Sequence, residues 1–134
     1  MQLTSRQAQA VIDAAAAKAQ ELGIPVNVAV LDAGARLKAF SRMDGAVLGS
    51  IDIAMRKATT AALFESNSEA VWEYCKPGAP AHYLELTNGG LAPFEGGMPL
   101  KSATGELVGA VGVSGGAVAQ DFEIVRAAVA AFTV

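Results

Sequence analysis

Cysteine, histidine and basic charge are all scarce in this chain, and each scarcity removes a class of function. Of 134 residues, one is Cys and one is His. Cys75 alone cannot close an internal disulfide, which fits a reducing compartment. His82 has no second His, Cys or carboxylate at ligand spacing, so no zinc site is expected. Lys and Arg number 10 against 13 Asp and Glu, for a formal charge of −3, and no basic run occurs. A nucleic-acid partner needs a basic footprint to displace counterions, so none is expected. No stretch approaches the roughly 18 consecutive apolar residues of a membrane span. The opening Met1-Gln2-Leu3-Thr4-Ser5 lacks the basic and apolar blocks of a secretory leader. The expectation is a cytoplasmic protein with no membrane partner.

Charge of either sign is also thin, at 17% of residues against roughly 25% in ordinary domains. Apolar residues make up 52%. A small monomer has a high surface-to-volume ratio and would expose much of that area, so a homo-oligomer is expected. No linker, repeat or low-complexity tract interrupts residues 1–134, which read as one domain.

Hydrophobic spacing supplies the elements. Ala8, Val11, Ile12, Ala15, Ala16, Ala19 and Leu22 form a helical stripe over Thr4 to Leu22. Thr4 with Gln7 reads as a capping box, and Gly23 before Pro25 as a stop. Val26 to Leu31 and Arg36 to Arg42 predict a hairpin across Asp32-Ala33-Gly34-Ala35. A second helix is expected over Ser50 to Glu65. An irregular region follows from Ser66 to Gly97, with helical turns at Glu69–Tyr74 and Ala81–Thr87. Pro99 to Ala103 and Glu106 to Val113 predict a second hairpin. A last helix carries a stripe of Val118, Phe122, Val125, Val129 and Phe132. This order predicts an α+β fold, an antiparallel sheet covered by helices.

Several motifs invite chemistry. Gly112-Val113-Ser114-Gly115-Gly116 fits G-x-S-x-G, but the one His precedes the serine, against the triad order of α/β-hydrolases. Close packing of the strand and a turn into the last helix explain the glycines better. Backbone N–H groups at that helix start could hold an anion, unless Asp121 points there. The glycines of Gly109 to Gly115 lie within a strand, so they make no dinucleotide fingerprint. Lys57 sits beside Ile53, Thr60 and Phe64, which implies either snorkelling or a nearby counter-charge. Arg42, Asp44 and Lys57 together suit an anionic substrate, a structural ion network or a subunit contact. Cys75 beside Lys76 is either a thiol of lowered pKa or an inert one.

Taken together, Val28-Ala29-Val30-Leu31-Asp32-Ala33-Gly34 and Arg42-Met43-Asp44-Gly45-Ala46 resemble the opening of GlcG/HbpS proteins. The resemblance continues through Ser50-Ile51-Asp52-Ile53-Ala54, Lys57-Ala58, Thr60-Ala61, Lys76-Pro77-Gly78, Gly96-Gly97-Met98-Pro99-Leu100 and Gly109 to Gly115. It implies a profilin-like fold with about five strands and helices on both faces. It also implies assembly as dimers, tetramers or octamers, and haem among the ligands of relatives. Between Gln2 and Arg42 there is no His, Cys, Met or Tyr, so the first helix and hairpin offer no ordinary axial ligand. His82, Cys75, Tyr74, Tyr83 and the later methionines remain.

The reading that follows is a small-molecule-binding accessory protein of a catabolic pathway, taking a small carboxylated metabolite or haem. Arg42 and Lys57 would supply positive charge, and Gly96, Gly97, Ser114 and Gly115 backbone donors. The alternative is an enzyme of proton transfer on a small oxo- or hydroxy-acid. There Asp44 or His82 would act as base and Arg42 or Lys57 would stabilise developing negative charge.

Overall fold

The computed structural model describes residues 1–133. Helix α1 (Ser5–Leu22) begins on the Thr4–Gln7 capping box and ends at Gly23, whose φ of 72° only glycine adopts without cost. Strands β1 (Asn27–Asp32) and β2 (Leu37–Arg42) form the first hairpin, and helix α2 (Gly49–Phe64) follows. Next come a 3-10 turn (Ser68–Val71), the short helix α3 (Trp72–Cys75) and a second 3-10 turn (Leu84–Leu86). Strands β3 (Gly97–Lys101) and β4 (Leu107–Ser114) make the second hairpin, and helix α4 (Val118–Ala130) ends the fold.

The four strands form one antiparallel sheet in the order β2-β1-β4-β3. The sheet thus has four strands among the described residues, not five, because the region from Ser66 to Gly97 folds as helical turns. Alternate residues point to opposite faces of a strand. Val28, Val30, Val111 and Val113 therefore pack with Val11, Ile12, Ala15, Ile124 and Val125 of α1 and α4. Ala29, Leu31 and Ala110 face the alanines of α2 on the other side.

Two glycines set how close α2 lies. A Cβ at Gly112 would overlap the Ala54 carbonyl oxygen, and one at Gly97 would overlap the Lys57 carbonyl. Gly112 reads from the sequence as a close-packing residue and is one, whereas Gly97, expected as a backbone donor to a ligand, makes room for α2. In α4 the buried stripe is Asp121, Ile124, Val125 and Ala128. Phe122, Val129 and Phe132 only edge the core, and Val118 is exposed. The expected stripe was rotated, since Val118 and Phe132 were apolar but terminal.

Side chains of α2 tether the irregular region. Arg56 donates to the carbonyls of Gly89 and Gly90, and the Thr60 hydroxyl accepts the Ala92 N–H at 3.0 Å. Ser68 Oγ accepts the Gly97 N–H at 2.9 Å and donates to the Phe94 carbonyl. This segment is thereby held as a defined surface, not left as a free loop.

Candidate functional site

Because α2 lies close against β3 and β4, the Lys57 side chain has only the interior to enter. It is 1% exposed, and its ammonium meets the Asp121 carboxylate, itself 3% exposed, at 3.0 Å. It also donates to the Val113 carbonyl at 2.9 Å. The Phe94 ring lies over it, with the centroid 5.2 Å away. The other Asp121 oxygen accepts the Gly116 N–H at 2.9 Å. Burial lowers the Lys57 pKa from its ordinary 10.5, and Asp121 and then Glu95 oppose that shift. Gly96 closes this arrangement: its φ is 128°, and a Cβ there would stand 2.6 Å from Lys57 Nζ.

The expected group of Arg42, Asp44 and Lys57 does not form. Arg42 and Asp44 are exposed, and neither makes an ion pair among the described residues. The reason is topological: Arg42 ends the edge strand β2, while Lys57 is drawn under β4 toward α4. Gly96 and Gly97 make room for Lys57 and α2, so they too act in packing. Ser114 is buried in register with Asn27, with no histidine beside it, and Gly115 has its Cβ position 2.7 Å from the Pro25 carbonyl. The anion site considered at the start of α4 is taken from within. Asp121 occupies the Gly116 N–H, and Gln120 Oε1 accepts that of Ala117 at 2.8 Å.

His82 is exposed and rests against Tyr83, ring centroids 3.9 Å apart. Among the described residues no three His, Cys, Asp or Glu side chains gather as a metal site. Cys75 is buried, and burial with the nearby Glu85 pushes its thiol pKa up. Lys76 instead pairs with Glu73 at 2.8 Å, so the inert reading of that thiol holds.

Two features were missed in the sequence. The pairing of Lys57 with Asp121 is one, although Asp121 precedes Val125 and Ala128 by four and seven residues, the phase of a buried face. The other is a pair of concavities flanking the segment that contains α3. One, of about 410 Å³, is walled by Phe64, Ala70, Val71, Tyr74, Ala81 and Leu84. The second, of about 490 Å³, is walled by Glu69, Trp72, Glu73, Pro93, Phe94 and Glu95. Both volumes fall in the range of small-molecule pockets.

The fold is of the α+β class, a four-stranded antiparallel sheet covered by helices on both faces. Residues 3–130 match the family described as "Haem degrading protein HbpS-like", and the chain belongs to that family. It is similar to protein GlcG of Escherichia coli strain K12, with 38% identity over 112 residues, covering 84% of this chain and 81% of the relative. Its fold matches the crystal structure of Klebsiella pneumoniae protein ORFY at a TM-score of 0.94 and 34% identity, covering 98% of this chain and 92% of that one. It matches the PduOC:heme complex at 0.92 and 34%, covering 98% and 95%.

Proposed function

We propose that this chain is a small-molecule-binding accessory protein whose ligand is a flat, largely apolar molecule of the haem class. The ligand would lie in the groove between the end of α2 and the 66–84 segment. The observation that carries this reading is the groove itself: Phe64 and Tyr74 stand exposed along an apolar concavity, where an aromatic macrocycle would remove them from water.

The donor set fits the group. His82 and Tyr83 stand in the chain between two lining residues, Ala81 and Leu84, and Tyr74 lines the groove directly. Imidazole and phenolate are ordinary iron ligands, whereas the buried Cys75, its thiol held protonated, is not. No cation lines the groove, so the propionates would face solvent. When bound, such a group supplies iron redox chemistry. Phe64 and Tyr74 would hold its plane, and His82, next in sequence to the lining residue Ala81, would hold its metal.

A small carboxylate fits less well. The Lys57 charge is already spent on Asp121, and Arg42 stands alone at the surface. Proton transfer through Lys57 would need a substrate to reach a buried ammonium. The exposed apolar residues support a homo-oligomer of this chain as the working form. The lone reduced thiol suits the cytoplasm.

Titration with haem tests the reading. A saturable Soret band is expected, shifted or lost in His82→Ala and weakened in Tyr74→Ala. Absence of any saturable band in folded protein would remove the proposal.

A further inference from the structure

The second concavity, on the other side of α3 from the haem-class groove, has a different chemistry. It combines two half-exposed aromatic rings, Trp72 at 42% and Phe94 at 38%, with three carboxylates, Glu69, Glu73 and Glu95. No Lys or Arg lines it. Glu73 is satisfied by Lys76, but neither Glu69 nor Glu95 forms an ion pair among the described residues. Glu69 Oε2 accepts from the Asn67 amide at 3.4 Å, while its Oε1 is enclosed without a donor, so no cation compensates its charge. The Phe94 ring already serves one cation, Lys57, whose charge Asp121 balances.

Aromatic faces carry negative potential and attract cations, more strongly for indole than for phenyl. Carboxylates on the rim add long-range attraction and repel anions. We infer that this cavity is a binding site for a small organic cation, an alkylammonium or quaternary ammonium compound held against Trp72 and Phe94 and balanced by Glu69 and Glu95. An anionic metabolite is excluded by the same carboxylates.

Trp72 is the one tryptophan in the sequence, so its emission reports this cavity directly. The probe is benzyltrimethylammonium, compared with its uncharged isostere in which tert-butyl replaces the trimethylammonium group. A saturable emission change is expected with the cation, and binding weaker by about tenfold with the isostere. Glu69→Gln and Glu95→Gln should each weaken the cation severalfold while leaving the isostere unchanged. Calorimetry on Trp72→Phe should still detect the cation, since a phenyl ring replaces the indole. Circular dichroism confirms that each variant is folded. Equal affinity for the isostere, indifference to both Glu variants, or no saturable change in the folded protein would each overturn the inference. Haem titration is independent of this cavity, so either proposal can fail alone.

Discussion

A lysine ammonium leaves water only where the interior returns what hydration gave. At Lys57 that return comes from the Asp121 carboxylate and the Val113 carbonyl. Removing one member of a buried pair leaves the other charge stranded, at a cost of about 3–5 kcal/mol. Lys57→Met and Asp121→Asn are each expected to lose stability on that scale in urea denaturation. The double variant Lys57→Met with Asp121→Leu should recover much of it, because apolar packing often replaces a buried pair without loss. A double variant as weak as the singles would contradict this account.

The same residue gives a pH dependence of defined sign. With its pKa lowered in the fold, Lys57 binds its proton less tightly when folded than when unfolded. Between that lowered value and 10.5 the unfolded chain holds more protons, so raising pH favours the fold as far as this group is concerned. Stability measured against Lys57→Met should therefore shift in favour of the parent chain as pH rises toward 10.5. A shift in the opposite direction would show that the Asp121 pairing outweighs burial.

At the scale of elements, the contact between α2 and the sheet is the most exacting. Alanines on the helix and glycines on β3 and β4 bring two backbones together. Gly112→Ala should cost about 1–3 kcal/mol or more, since the overlap is with backbone that cannot rotate away. Thr4→Ala, by contrast, removes only a cap and should cost about 1 kcal/mol. Thermal melts of the two variants rank them, and a milder effect at Gly112 would mean that α2 can lift. The capping box, the Gly23 stop and both hairpins were legible because each depends on neighbours in sequence. The stripe of α4 was misjudged because its terminal apolar residues, Val118 and Phe132, obscured a buried aspartate.

Across the whole molecule, the exposed apolar residues concentrate on a few segments. Val47 and Leu48 precede α2, Leu63 and Phe64 end it, and Tyr74, Tyr83 and Leu86 follow in the irregular region. Leu86, at 71% exposure, is the most open of them. Monomers rarely leave such surface uncovered. Light scattering on a sizing column should give a mass above one chain, and Leu86→Asp should lower it if this region forms the contact. A monomer at every concentration would refute self-association.

Local pattern by itself determined the helices, the hairpins and the α+β class, since these rest on periodicity and composition. Only the tertiary structure decided the partner of Lys57. Arg42 and Asp44 are nearer in sequence, but the sheet order carries Lys57 beneath β4, and the turn at Gly115 and Gly116 brings Asp121 to it. Charges separated by 64 residues meet because packing holds them there, and no spacing along the chain encodes that.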